Sequence, residues 1–465
     1  MEPKKDNTFC YFPFSQLALK TWVKGKGIES AAQCCNAIRP NTPDPLGLND
    51  AIVEKKLNPS DIFNSKSMQD IRDDMINGKR PEACNTCWEV ESNGSKSYRL
   101  FSRPPGAYDG YLDFDYTDPK LQSIDFGFGE NCNLRCRMCQ PNLSNKLRHD
   151  FKFFVDNNID TEGVHGWDHR EMKPDPRFDE LNIIADDKTI YDMHTAKTGH
   201  NDVWYFEKNE QWQNILDNIH DLRTIKCTGG ETTLTQGFQE FVDYAIEVGA
   251  AKNLVLEFHT NATKFTDTLV EKMTKFKHCH LSFSIDSVEK NYEYIRYPMK
   301  FDTLTNSVNN LISKWYKKFD DAPFRKKISI DLTSVFMSYN AHYLYDLYHW
   351  WKYTLYSLPS DLIHTSFYID KLWPEDKFIN VTYLGKKQKL EILEILYKIQ
   401  NDGLPNVEVE HIIQFVKESL DDRITDDHRL RMLKEISIFD QSRNQDYHDY
   451  LHPSIIEFLD TPIKD

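Results

Sequence analysis

Cys132, Cys136 and Cys139 stand in the stretch ENCNLRCRMCQPN, a C-x3-C-x2-C array that directly follows an apolar, strand-like run. Three thiols so close cannot all serve one disulfide. With ten cysteines in 465 residues, chance yields roughly 0.005 such arrays per chain, so the spacing points to a ligand. A structural zinc ion normally takes four N or S ligands, and no fourth is evident beside these three. Three thiolates on a tight loop suit a cubane cluster, in which the protein holds three irons and one stays open.

Other polar residues fall at the ends of apolar runs. CTGGETT places Gly229, Gly230 and Glu231 after one such run, and paired glycines let a ligand approach the backbone closely. HTNAT ends a second run with Asn261, and SFSIDS ends a third around Ser284; YEYIRYP follows with Arg296. In a parallel βα barrel, polar residues at the carboxyl ends of strands line the active site. These segments and the cysteine loop are therefore expected on one face.

The elements that must hold them are short strands alternating with longer amphipathic segments. Strands are predicted over 121–128, 223–229, 253–260, 279–286, 328–336 and 363–370, and helices over 234–249, 267–276 and 302–318. Such alternation reads as right-handed βα units around a parallel sheet. Six units predict a partial (β/α)6 barrel of the TIM type. Roughly ninety residues separate the first strand from the second, more than one crossover needs, so an insertion at about 150–215 is expected as a lobe near the mouth. The expected divisions are a cysteine-rich module over 1–112, a core over 113–345, and a final strand with a helical extension over 346–465.

With these motifs in place, the chain resembles the radical S-adenosylmethionine enzymes over about residues 118–345. The resemblance implies that Cys132, Cys136 and Cys139 bind a [4Fe–4S] cluster whose fourth iron chelates S-adenosyl-L-methionine. It places Gly229, Gly230 and Glu231 against the methionyl amine, and Asn261, Ser284 and Arg296 against ribose or carboxylate. Met138 stands where the family often has an aromatic residue near the adenine, and a thioether can pack there instead. Thr232 replaces a usual proline, and Ala262 a usual glycine, so no positive φ is expected after Asn261. The implied reaction is reductive cleavage of the cofactor to a 5′-deoxyadenosyl radical that abstracts hydrogen from a substrate. The implied partners are an electron donor such as flavodoxin or ferredoxin, and a substrate that is a peptide or protein first and a small molecule or sugar second.

A second cysteine set precedes the core: Cys10, then Cys34 and Cys35, then Cys84 and Cys87 in a C-x2-C pair. Alone, the pair serves zinc equally well. The whole order resembles the twitch (truncated SPASM) module, which implies an auxiliary Fe–S cluster with one of Cys34 and Cys35 as ligand. The competing reading of all these cysteines is a non-enzymatic zinc-binding or interaction protein.

Composition bounds the rest. A formal charge of −15 argues against non-specific nucleic-acid binding, which needs surplus Lys and Arg. No apolar run reaches the length of a membrane span, nor does the start read as a signal peptide. A cytoplasmic setting is expected, where cysteines serve as ligands or core residues more than as disulfides. Cys227 reads as a core thiol. In KHCH, Cys279 and His280 should point to opposite faces of a strand. His165 and His169 read as solvated or substrate-facing, and YHWWKY as a core helix.

Overall fold

The computed structural model describes residues 8–20, 28, 30–37, 44–92, 97–101, 115–129, 131–139, 144–161, 210–320, 327–372 and 378–462. Most of the expected insertion, with His165 and His169, lies outside the described residues. Nine strands are present among the described residues: β1 Gln16–Lys20, β2 Ser30–Ala32, β3 Ser123–Gly127, β4 Thr224–Thr228, β5 Val255–Thr260, β6 His278–Ser284, β7 Ile328–Phe336, β8 Ile363–Lys371 and β9 Val407–Glu408. Their order in the sheet is β2-β1-β3-β4-β5-β6-β7-β8-β9. β1 runs antiparallel to β2 and parallel to β3. The pairs β3·β4, β4·β5, β7·β8 and β8·β9 are parallel.

All six predicted strands form, β3 to β8. The additions are β1, β2 and β9, of five, three and two residues, too short for alternation to declare itself. β1 and β2 lie within the expected N-terminal module and pair into the same sheet as β3. The chain divides into two compact units, one of Met1–Glu130, Ala196–Phe258 and Glu271–His280, the other of Asn131–Thr195, His259–Val270 and Leu281–Asp465.

In the first unit, strand alternation makes two unlike faces. Ile124 pairs with Ile225 and Ile225 with Leu256, while Phe126 pairs with Cys227 and Cys227 with Phe258. This apolar face meets Trp212 of the Glu210–Asp217 helix and Phe238 and Phe241 of the Gln236–Glu247 helix. Ring centroids lie 5.8 Å apart for Phe126 and Trp212, and 5.2 Å apart for Phe238 and Phe258. Each such buried aromatic contributes about 1.5–3 kcal/mol by removal from water. Cys227 belongs to this core, as expected.

In the second unit, β7 and β8 pair in parallel from Ile328↔Ile363 to Phe336↔Lys371. The Phe301–Phe319 helix buries Leu304, Val308, Leu311 and Trp315, a 3.6-residue stripe that sets one face inward. The Leu344–Trp351 helix buries Tyr348 and Trp351, so YHWWKY serves packing as expected. The helical extension comprises Lys386–Asn401, Glu410–Glu418, Asp426–Arg443 and Pro453–Asp460. No helix among the described residues is long and apolar enough to cross a membrane.

Candidate active site

The three-cysteine loop belongs to the second unit, and its backbone is pinned along its length. The Cys132 N–H donates to Asn145 Oδ1 at 3.1 Å. The Arg135 N–H donates to Tyr297 O at 2.7 Å and the Arg137 N–H to Ile295 O at 3.0 Å. Ser144 Oγ donates to Leu134 O at 2.8 Å. Cys139 closes a turn on Cys136 O at 3.1 Å. One donor already serves sulfur, because the Leu134 N–H meets Cys132 Sγ at 3.4 Å. Cys132 is buried, whereas Cys136 and Cys139 are half-exposed.

Arg296 comes to this loop. Burial pushes the Cys136 thiol up, and the Arg296 guanidinium opposes that shift more than any other charge. Arg296 is itself fixed, its Nε donating to Asp286 Oδ2 at 2.6 Å, while Asp286 Oδ1 accepts the Val335 N–H at 2.8 Å. Asn261 comes to the loop too, as a bracket: its Nδ2 donates to Asn133 Oδ1 at 2.8 Å, and its Oδ1 accepts from Thr263 N and Oγ1 at 3.1 and 2.6 Å. Asn133 Nδ2 returns a bond to Thr263 Oγ1 at 2.9 Å. Ser284 closes β6, and Met138 sits half-buried in the loop. One expectation is corrected here. Ala262 adopts φ +58°, so the turn after Asn261 keeps a left-handed residue although glycine is absent. Its N–H donates to Thr260 Oγ1 at 3.0 Å, and this bond with the Asn261–Thr263 pair holds the strained conformation.

Gly229, Gly230 and Glu231 follow β4 in the first unit. The glycine at 229 meets a need within the backbone itself. It has φ +150°, and a Cβ there would lie 2.9 Å from the Gly129 carbonyl oxygen. The close approach is by the chain's own backbone, and Gly230 N–H completes it by donating to Gly129 O at 2.8 Å. Glu231 is buried, its Oε1 accepting from Thr233 N and Oγ1 at 3.2 and 2.6 Å.

The second cysteine set is gathered around one cavity in the first unit. Cys10, Cys34, Cys84 and Cys87 line it with Phe12, Met75 and Tyr98 among others. Gln33 Nε2 donates to Cys84 Sγ at 3.4 Å and Asn36 Nδ2 to Cys87 Sγ at 3.8 Å. Burial pushes the Cys84 thiol up to about 11. Burial raises Cys34 as well, followed by repulsion from Cys35, Cys10, Cys84 and Cys87. Both shifts favour the neutral thiol over the thiolate. Cys34 lines the cavity, while Cys35 Sγ lies 3.9 Å from Lys226 Nζ.

A tetrahedral zinc with bonds of about 2.3 Å brings its sulfurs to about 3.8 Å from one another. Among the described residues, no three His, Cys, Asp or Glu side chains are disposed to hold a metal ion. Four thiols around one cavity and three on one loop are donor sets of the type that an iron–sulfur cluster takes.

Sequence reasoning missed a charged row on the polar face of the first unit's sheet. Asp125, Lys226 and Glu257 occupy paired register positions on β3, β4 and β5. His280 Nδ1 lies 3.9 Å from Glu257, and Cys279 is buried on the opposite face, as expected from their alternation. Lys226 Nζ lies 3.7 Å from Asp125 Oδ2 and 3.4 Å from Tyr98 Oη. Burial opposes the Lys226 charge, but Asp125, Tyr98, Cys35 and Glu257 together hold its pKa well above the ordinary value. The signal was present: each of these strands carries one charged residue between two apolar ones.

No protein-family model matches the chain, and no curated protein matches it. Among solved structures, it is similar to SuiB of Streptococcus suis bound to the precursor peptide SuiA, at 12% identity and TM-score 0.35, over 83% of this chain and 61% of that one. SuiB bound to S-adenosylmethionine matches at 10% identity and TM-score 0.31, over 74% and 52%. A third SuiB structure matches at 14% and 0.30, over 61% and 71%. The chain thus spans 61% and 52% of the first two SuiB chains. At such overlap, function rests on the residues themselves.

Proposed function

We propose that this chain is a radical S-adenosylmethionine enzyme, with its first [4Fe–4S] cluster held by Cys132, Cys136 and Cys139. An auxiliary cluster is held by Cys10, Cys34, Cys84 and Cys87. One observation supports the reading most: a loop carrying three closely spaced cysteines is pinned through its backbone at several points.

The cluster, when bound, supplies one-electron cleavage of the cofactor's sulfonium and so begins radical chemistry on a substrate carbon. The protein's part is electrostatic and geometric. Arg296, fixed by Asp286, offers positive charge to the thiolate of Cys136. Asn133, Asn261 and Thr263 brace the loop's first half. Gln33 and Asn36 donate to the sulfurs of Cys84 and Cys87 and so orient both thiols. On the resemblance drawn from the sequence, a peptide is the first substrate to test, and flavodoxin or ferredoxin the first electron donor.

The test is anaerobic reconstitution followed by metal analysis and visible absorption. About eight irons per chain with a broad band toward the blue are expected from two four-iron clusters. Stoichiometric zinc without colour sinks the reading. With S-adenosylmethionine and reductant, the protein should release 5′-deoxyadenosine, and replacing Cys132, Cys136 and Cys139 with Ala should abolish that product.

A further inference from the structure

The three-cysteine loop carries two arginines, Arg135 and Arg137, and neither is spent on solvent. Arg137 is buried. Its Nη2 pairs with Asp440 and donates to Gln445 Oε1 at 3.0 Å, and its Nε donates to Tyr294 O at 3.0 Å. Its guanidinium carbon stands 3.5 Å above the Tyr294 ring. Asp440 is set in turn by the Tyr447 N–H, which donates to Oδ2 at 2.8 Å. Arg135 Nη1 reaches Asp150 Oδ1 at 3.1 Å, and Arg443 Nη2 reaches Asp150 Oδ2 at 2.9 Å. The Asp150 and Arg443 side chains are both 0% exposed. Asp440 and Arg443 lie on the last turn of the Asp426–Arg443 helix, and Asp150 on the Arg148–Asp156 helix.

We propose that the Asp426–Arg443 helix clamps the three-cysteine loop, with Asp440 and Asp150 as positioning residues that hold Arg137 and Arg135. The two carboxylates offset two of the three guanidinium charges, although Arg443 still acts on the Cys136 thiol. The geometry of these pairs is informative. A planar guanidinium gripped by a carboxylate, a carbonyl and a ring face has one allowed orientation. Arg137 lies between Cys136 and Cys139 in the chain, so its orientation sets where those two thiols point. Buried ion pairs add little net stability but specify one arrangement. The purpose of the clamp rests on the cluster reading above, whereas its existence can be tested in metal-free protein.

The experiment uses the full chain, reduced and free of metal, with iodoacetamide as probe and peptide mass spectrometry as readout. Asp440→Asn keeps the shape and removes the charge, and Arg137→Lys keeps the charge and removes the fork. In Asp440→Asn, Cys136 and Cys139 should alkylate about tenfold faster because the loop opens locally. Cys227 and Cys279, both 0% exposed, should keep wild-type rates, and Arg137→Lys should fall between. After reconstitution, the same variants should lose iron to a chelator faster than the wild type. Wild-type alkylation rates at Cys136 and Cys139 in both variants overturn the clamp. So does equal acceleration at Cys227 and Cys279, which is general unfolding. A wild type that holds no iron defeats the cluster reading, and the alkylation rates still decide the clamp.

Discussion

Gly229→Ala should damage folding before it damages any ligand contact. An added methyl would lie 2.9 Å from Gly129 O, and 3.6 Å from Gly129 N and Phe128 C. All three are backbone atoms, and they cannot easily retreat. Phe128 N–H donates to Thr228 O at 2.8 Å, and Gly129 O accepts from Gly230 at 2.8 Å. Relief of the clash would therefore stretch the β3–β4 junction itself. Holding a non-glycine residue at a φ of this kind costs about 1–3 kcal/mol, and overpacking against fixed neighbours about 1–3 kcal/mol more. The sum is about 2–6 kcal/mol, enough to move a urea midpoint by roughly 1 M or more at ordinary m-values. Tryptophan fluorescence is a suitable probe, since Trp212 packs on Phe126 of β3. An unchanged midpoint together with lost S-adenosylmethionine binding would refute this reasoning. It would return Gly229 to the role the sequence suggested, a floor for a ligand.

Cys34→Ala should lower the reconstituted iron from about eight to about four per chain, by cubane stoichiometry, while Cys35→Ala should leave it unchanged; iron assay after gel filtration reads both. Ala262→Gly should keep or raise thermal stability by relieving a strain of about 1 kcal/mol, and Ala262→Val should lower the melting temperature. His342 is buried and stacks on His452 with ring centroids 4.3 Å apart. Burial first, then His452, brings its pKa from 6.5 down to about 4. The unfolded chain therefore binds this proton more readily, so stability is complete above about pH 6.5 and declines toward pH 4, by about 3 kcal/mol. Denaturant midpoints measured across that window should fall less in His342→Gln.

Local regularities carried the sequence reading a long way. Short apolar runs marked β3, β4 and β5, and the predicted limits of β7, 328–336, coincide with the strand itself. The cysteine spacing drew attention to the loop because all three residues lie within one short stretch of chain. What escaped depends on contacts between distant residues. Asp440 meets Arg137 across 303 positions, and nothing in either neighbourhood announces the other. The row Asp125–Lys226–Glu257 depends on strand register, which three separate strands do not state singly. Cys34 and Cys35 are neighbours of one type, so only the backbone direction after β2 could tell them apart. Ala262 misled because residue type ordinarily reports φ, and here the hydrogen bonds of Thr260 and Asn261 overrule it.

The pairing of β1 with β3 has a practical corollary. A version of the chain trimmed at residue 112, on the view that the cysteine-rich part is a detachable accessory, would strip the neighbour from β3 along Ser123–Gly127. Unmated amides and carbonyls beside Ile124 and Phe126 would then border the sheet, an invitation to intermolecular strand addition. Insoluble material is the anticipated yield of such trimming, even with every cysteine of the Cys132–Cys139 loop intact.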